Sequence, residues 1–439
     1  MDKVRTRIAP SPTGLAHVGT GYTTLFNYAF AKKNNGVLIL RLEDTDTKRE
    51  VVGAEEAIYL NLKWLGFEWQ EGADVGGPFA PYKQSERLDL YQKKAEQLVK
   101  EGKAYKEEGA IRFKNPEDDV SWHDLIHGDI TFPGKEVQDF VILKSNGFPT
   151  YHFAVVVDDI EMEITHIIRG EDHISNTPKH LALFKALGHK APEFAHFPTL
   201  RGDDKRKLSK RRDTVDLGSF RNEGYLPQAL VNFMCLLGWS HPEGKEIFSL
   251  EEFVEKFSLE RVREAGPVFD TQKLDWLNQQ YINATSSEEL AHLINQHTSF
   301  KVTPQMATLI KTRISKLSEA EELLIFFEKD PEVARDVFED ENAIRHASSA
   351  LKVLGEIPDW TLENINNTLA QEVQEKGFKT GEFYMTLRLV LTGKKVTPPI
   401  NESMVLLGQD EVLQRLERAQ QILLETPPKD LDLDIDTDS

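Results

Sequence analysis

Residues 7–20, Arg-Ile-Ala-Pro-Ser-Pro-Thr-Gly-Leu-Ala-His-Val-Gly-Thr, constrain this chain more than any other stretch. Val4 to Ala9 reads as a short buried strand. Pro10 and Pro12 then remove ladder donors and force an extended turn. Gly14 and Gly19 let the backbone bend and come close to a ligand. From Gly21 onward, Tyr22, Leu25, Phe26 and Ala29 fall three and four apart, which predicts a helix. The stretch is therefore strand, Pro/Gly turn and helix N-terminus, with Ser11 and His17 in the turn. Free amides and the helix dipole at such a terminus attract anions. The pattern is neither the Walker phosphate loop nor Gly-x-Gly-x-x-Gly. Taken alone, it also describes an ordinary strand-to-helix connection that contains a histidine.

A second feature lies almost two hundred residues later. Between Arg201 and Arg212 there are seven Lys/Arg against two Asp, in a chain whose formal net charge is -19. A solvated charge run is the bland reading of such a loop. The overall acidity argues against general nucleic-acid binding, so an RNA partner must meet local basic patches. A length of 439 residues suggests two to four domains. No apolar run approaches the ~20 residues that span a bilayer. Met1-Asp-Lys-Val lacks a signal-peptide pattern, and a soluble, cytoplasmic protein is expected. The single cysteine, Cys235, sits in an apolar run and reads as a small core residue. It excludes an internal disulfide and any multi-cysteine metal site.

In chain order, Gly36 to Leu42 is an apolar run ended by charge, as a buried parallel strand should be. Glu43, Asp44 and Asp46 follow at its C-terminal end, where ligands sit in open α/β sheets. Glu55 to Leu65 predicts an amphipathic helix, and Gly72 to Tyr82 a Gly/Pro loop. Ser85 to Glu101 predicts another helix. Ala104 to Phe148 is compact, with short strands at 111–113 and 140–143. Tyr151 to Val157 is β-branched and apolar and is expected to be a strand ended by Asp158-Asp159. Glu163 to Arg169 and Phe194 to Leu200 are further strands, with a helix over 178–187 between them. Arg221 to Trp239 is expected to be helical, with Pro227 near the start of a run. Phe248 to Tyr281 mixes short amphipathic helices with a turn at Gly266-Pro267, and beyond it the chain reads as all-helical. Ser286 with Glu289 forms a capping box, Thr361 caps a run carrying Ile365, Leu369 and Val373, and Val412, Leu416, Ala419 and Leu423 make a last apolar stripe. The tail alternates Asp with Leu or Ile and is expected to be solvated and disordered.

His17-Val-Gly-Thr20 and Lys207-Leu-Ser-Lys-Arg211 resemble the two signatures of class I aminoacyl-tRNA synthetases, His-Ile-Gly-His and Lys-Met-Ser-Lys-Ser. Arg7-Ile-Ala-Pro-Ser-Pro-Thr-Gly, Arg41-Leu-Glu-Asp-Thr-Asp46, Thr150-Tyr-His and Ile168-Arg-Gly-Glu-Asp172 extend the resemblance to bacterial glutamyl-tRNA synthetases, over essentially the whole chain. The resemblance implies an α/β fold: a Rossmann-type doubly wound catalytic domain with an inserted small α/β domain, followed by an all-α anticodon-binding region. The implied parts are 1–82 and 150–240 for the two catalytic halves, 83–149 for a shortened acceptor-stem insert, and 241–302 for a helical stem-contact region. The anticodon-binding region follows over 303–426, and the acidic tail over 427–439.

The implied reaction joins L-glutamate to ATP as glutamyl-adenylate and transfers it to the 3' end of tRNA(Glu), with tRNA(Gln) left open as a second acceptor. ATP with Mg²⁺ is implied, and a monomer. No zinc is expected, because the insert is short and cysteine-free. His123 and His127, four apart, could clamp a metal only with ligands the sequence does not supply. By motif position, His17, Lys207 and Lys210 are the expected catalytic residues. Arg7, Ser11, Glu43, Tyr151 and Arg169 match the glutamate contacts. Ala9, Ser11, His17, Gly19, Asp172, Leu200, Lys207, Leu208, Ser209, Lys210 and Arg211 match the nucleotide side. Thr20 stands where many class I enzymes have His, which removes one candidate phosphate donor. Bland alternatives are that Glu43 pairs with a neighbouring Arg and that Arg169 bridges to Asp172. A glutaminyl enzyme, a short tRNA-modifying paralogue and a noncatalytic ATP- or RNA-binding module are the rival readings. The helical C-terminal part and the intact Glu43 and Ser209-Lys210 speak against them.

Overall fold

The computed structural model describes residues 3–14, 16–46, 49, 51–202, 206, 208, 216–333, 337–338 and 342–425. The chain divides into two units, Met1–Asn278 and Gln279–Ser439. Lys207, Ser209, Lys210 and Arg211 of the expected basic loop, and the expected acidic tail, lie outside the described residues.

The first unit opens with β1 (Arg5–Ile8), α1 (Val18–Lys33), β2 (Val37–Leu40), α2 (Ala54–Trp64) and β3 (Glu71–Gly72). The three strands are parallel, in the order β1-β2-β3. β2 is buried on both faces: Leu38 and Leu40 join one apolar cluster, Val37 and Ile39 the other. Side chains alternate across a strand, so four consecutive apolar residues serve two cores at once. A 3₁₀ turn (Gln84–Arg87) leads into α3 (Leu88–Lys100).

Then come β4 (Ala104–Glu107), β5 (Ala110–Phe113), β6 (Val120–Asp124), β7 (Gly128–Phe132) and β8 (Phe140–Leu143). β4, β5 and β8 make a separate antiparallel sheet. The β6–β7 hairpin instead joins the main fold, in the sheet order β7-β6-β10-β9. Only β5 and β8 were expected in this segment. β6 is Val-Ser-Trp-His-Asp, in which Ser121, His123 and Asp124 interrupt the apolar run that marks a strand.

α4 (Tyr151–Glu161) follows, then β9 (His166–Gly170), α5 (Thr177–Ala186) and β10 (Glu193–Phe197). β9 and β10 run parallel. β9 also lies against β1, where Thr165 N–H donates to the Arg5 carbonyl at 3.0 Å and Arg5 N–H to Thr165 Oγ1 at 2.8 Å. The expected strand over 151–157 is thus corrected to a helix. Phe153 to Asp159 are all buried in it. Where every face is buried, neither period shows, and a run of valines reads equally as strand or helix.

The expected helix over 221–239 is also corrected, to α6 (Leu217–Asn222) and α7 (Pro227–Gly238). Gly224 breaks them apart with a φ of 84°. α8 (Leu250–Lys256) and α9 (Thr271–Ala284) follow. Gly238 closes α7 against α1: a Cβ there would lie 2.0 Å from the Tyr22 hydroxyl and 2.7 Å from Phe26 Cζ. Both rings are fully buried, so neither can swing away. Gly238→Ala is expected to destabilise the first unit by about 1–3 kcal/mol through overpacking, read as a lower urea midpoint; an unchanged midpoint would refute this.

The second unit holds α10 (Ser287–His297), α11 (Pro304–Ile310), α12 (Glu319–Leu324), α13 (Ala343–Gly355), α14 (Leu362–Lys376), α15 (Thr380–Thr392), α16 (Ile400–Leu407) and α17 (Gln409–Glu425). Ser286 and Thr361 cap α10 and α14, accepting from Glu289 N–H and Asn364 N–H. The expected stripes Ile365, Leu369, Val373 and Val412, Leu416, Ala419, Leu423 are buried in one cluster. No helix among the described residues is long and apolar enough to cross a membrane.

Candidate active site

β1 ends in the Pro-rich turn, and two backbone bonds pin that turn beside the end of β2. Arg41 N–H donates to the Ile8 carbonyl and Glu43 N–H to the Pro10 carbonyl, each at 3.0 Å. α1 starts at Val18, earlier than the sequence spacing suggested. His17 is its N-cap, with Nδ1 accepting from Gly19 N–H at 2.8 Å. When the ring is neutral, its proton therefore sits on Nε2, the nitrogen able to donate to an anion.

The turn, α1, β9 and the end of β10 surround a cleft of about 420 Å³. Arg7, Ala9, Ser11, His17, Gly19, Glu43, Tyr151, Arg169, Asp172, Leu200 and Leu208 all line it. Every sequence-expected site residue that falls among the described residues is thus on one cleft. Tyr151 reaches it from the first turn of α4 and not from a strand end. Tyr22, Thr23, His173 and Thr199 line it as well. Asp44 does not, because its carboxylate is taken up by Ser85 N–H at 2.8 Å and Ser85 Oγ at 2.5 Å.

Beneath the cleft lies a buried ionic cluster that the sequence reading missed. Arg41, fully buried, contacts Glu43 at 3.2 Å, Asp158 at 3.6 Å and Asp159 at 2.7 Å. Arg7 Nε lies 3.2 Å from Asp159, and Arg87 Nε 2.8 Å from Asp158. Gln84 and Tyr91 also donate to Asp158. Three guanidinium groups thus meet three carboxylates. Burial pushes the Glu43 carboxyl up to about 7, with Arg41 and Arg7 opposing it. Burial would raise Asp159 too, but Arg7 and Arg41 outweigh it and hold that carboxyl below its usual value. Arg41 and Asp158-Asp159, charges set inside apolar runs, were the available signal.

Arg169 is different. Its Nε donates to His196 Nε2 at 3.1 Å, Nη1 to His180 Nδ1 at 3.1 Å, and Nη2 to Thr177 Oγ1 at 2.8 Å. The His173 carbonyl accepts from Nη2 at 3.3 Å. All these partners are neutral acceptors. Among the described residues no carboxylate lies within 4.0 Å of this guanidinium, so the alternative of an Arg169–Asp172 bridge is not realised. Burial pushes its pKa down to about 10, still cationic at neutral pH. Burial also lowers His152 and His173 to about 4, and lowers His180 and His196. Four nearby imidazoles therefore stay uncharged, and Arg169 carries its positive charge at the cleft wall with Asp159 as a more distant counter-charge and no carboxylate in contact. The other bland alternative does hold: Glu43 pairs with Arg41.

Among the described residues, no three His, Cys, Asp or Glu converge on a point where a metal could sit. His123 Nδ1 instead contacts Asp129 at 2.7 Å.

The catalytic-domain family of class I tRNA synthetases (E and Q) matches residues 3–110 and 107–276, and an anticodon-binding domain family matches 262–420. The glutamate–tRNA ligase of Acidothermus cellulolyticus is 42% identical, over 95% of this chain and 96% of that one. That of Thermus thermophilus is 42% identical, over 95% of this chain and 99% of its own. The crystal structure of a glutamate tRNA ligase from Elizabethkingia meningosepticum, in complex with its amino acid, superposes with a TM-score of 0.85 at 32% identity. It covers 96% of this chain and 100% of its own. Matched by both domain families, and by relatives along nearly the whole of each chain, this protein belongs to the glutamate–tRNA ligases of the class I tRNA synthetases.

Proposed function

We infer that the cleft activates L-glutamate with ATP and passes the glutamyl group to tRNA(Glu). The observation that carries the choice of amino acid is Arg169, a buried cation held only by neutral acceptors. Such a group favours an anion over its isosteric amide, because a carboxylate accepts the Nη1–H these partners leave and also offsets the charge, which a neutral amide cannot do. Tyr151, on the same wall, is suited to donate to that carboxylate. Glu43 is suited to the substrate ammonium. The charge of Arg7 is shared with Asp159, so its pull on a substrate carboxylate is weaker than that of Arg169.

In the first step a substrate carboxylate oxygen attacks the α-phosphorus of ATP, and the bond to pyrophosphate breaks. In the second, a hydroxyl of the terminal tRNA ribose attacks the acyl carbon and AMP leaves. The protein positions the reactants and stabilises charge. The N-terminus of α1 and His17 Nε2–H face a phosphate with donors and a favourable dipole. Lys207, Ser209 and Lys210 supply the remaining donors by their place in the sequence. Mg²⁺ would come with the ATP phosphates, since the described residues offer no acidic cage for it. ATP–pyrophosphate exchange with glutamate and tRNA tests the first step. Acylation of purified tRNA(Glu) and tRNA(Gln) tests the acceptor range. No exchange with any combination would overturn the reading.

The pKa of Glu43 gives a pH signature. A bound ammonium favours the ionised carboxylate, so binding is strongest above the free-state value of about 7 and is lost as pH falls through it. We expect kcat/KM for glutamate to rise between about pH 6 and 7.5, and this limb to vanish in Glu43→Gln. A flat wild-type profile over that range would remove Glu43 from the ammonium site.

A further inference from the structure

The β6–β7 hairpin reaches the glutamate pocket through one side chain. Asp124, the last residue of β6, is fully buried. Its Oδ2 lies 2.5 Å from His196 Nδ1. Its Oδ1 accepts from three backbone N–H groups: Ile126 and His127 at 3.1 Å and His196 at 3.2 Å. The other nitrogen of His196, Nε2, accepts from Arg169 Nε. A buried carboxylate, an imidazole and the proposed selecting guanidinium thus form one chain, donated from 169 to 196 to 124.

We propose that Asp124 is a positioning residue for the amino-acid pocket: it keeps the His196 proton on Nδ1, so that Nε2 remains the acceptor that fixes the Arg169 fork. This rests on the assignment of Arg169 to the substrate carboxylate. The opposite tautomer would aim an Nε2–H at the Arg169 Nε–H, donor against donor, 3.1 Å apart. Without the carboxylate nothing at position 124 would enforce the choice. On the far side of the fork, His180 Nδ1 must likewise accept from Arg169, which leaves its Nε2–H to donate to His152 Nδ1 at 3.1 Å. Arg169 is therefore gripped from two sides by rings whose protons point away from it. Burial would raise the Asp124 carboxyl, but the His196 contact and the backbone N–H groups of His127 and Ile126 outweigh it, so it stays ionised.

Asp124→Asn separates the oxygen that serves the backbone from the one that serves the ring. Three N–H groups demand an oxygen at the Oδ1 position, so the amide nitrogen must take the Oδ2 position and donate to His196 Nδ1. The ring proton then moves to Nε2, against Arg169. Imidazole ¹⁵N spectra of the whole protein, without substrate, should show His196 as Nδ1–H in the wild type and Nε2–H in Asp124→Asn. An Nε2–H ring in the wild type would overturn the proposal.

In steady-state assays, Asp124→Asn should raise KM for glutamate about tenfold or more and move KM for ATP by less than about twofold. His196→Gln can present an amide oxygen near the Nε2 position without a ring tautomer to be set, so it should raise KM for glutamate less than Asp124→Asn does. His196→Leu removes the acceptor and should raise KM about as much as Asp124→Asn does. In the His196→Gln background, Asp124→Asn should add little. Equal damage in both backgrounds would show that Asp124 supports the hairpin and not the ring, and would sink the proposal. The tautomer is read with no substrate present. It therefore stands apart from the assignment of Arg169 itself, which fails if Arg169→Ala leaves KM for glutamate unchanged.

Discussion

Arg169→Ala is expected to lose nearly all productive use of glutamate, with kcat/KM falling by about 10²–10⁴, the equivalent of about 3–5 kcal/mol for stranding one partner of a buried charge pair. Glutamate and glutamine differ by an oxygen and a nitrogen of nearly equal size, so the shape of the cleft separates them poorly. Charge and donor direction separate them well. The fork of Arg169 is fixed by His196, His180 and Thr177, and an amide NH₂ would meet it donor to donor. Arg169→Ala should therefore also lose most discrimination against glutamine. Arg169→Lys keeps the charge without the planar fork and should retain part of both. The measurement is kcat/KM for the two amino acids at saturating ATP and tRNA. If Arg169→Ala still strongly preferred glutamate, the selecting charge would have to be Arg7.

Lys210→Ala should lower the rate of activation by about 10²–10³, the usual effect of removing one oriented charge from a transition state. Its motive is sequence position, in Lys207-Leu-Ser-Lys-Arg211. Arg169 and Glu43, proposed above to hold glutamate, lie outside this loop, so glutamate binding should change little. Pyrophosphate exchange reads the first quantity and calorimetry with glutamate the second. Near-normal exchange in the variant would remove Lys210 from the phosphate chemistry.

The stretch from Arg7 to Thr20 was legible because each residue type in it allows few conformations: Pro sets φ, Gly permits close approach, and apolar spacing starts the helix. His17 and Ser11 could be placed in the turn on those grounds alone. The helix α4 was not legible, since Phe153 to Asp159 are buried on every side and burial erases the periodicity that tells helix from strand. The resemblance to a family drew in Glu43, Tyr151 and Arg169, but it said nothing of what holds them. Those holders lie far off in sequence: Asp159 is 118 residues from Arg41, and Asp124 is 72 from His196. No local pattern announces such pairs. What could be read was the oddity of charge within apolar runs, at Arg41 and at Asp158-Asp159. A buried charge needs a partner, so each of these was a demand for the other.

The ionic cluster beneath the cleft has a consequence for the order in which the chain is made. Arg7, Arg41 and Arg87 leave the ribosome before either aspartate, with only Glu43 of the cluster's carboxylates beside them: three positive charges less one, an excess of two. Asp158 follows Arg87 by 71 residues. At about 5–20 residues per second that interval is about 4–14 s. Burying these three guanidinium groups with Glu43 alone would cost several kcal/mol, so the cluster can close only once α4 has been made. Asp158 and Asp159 then arrive together on one turn of α4 and supply the two carboxylates that the three arginines lack.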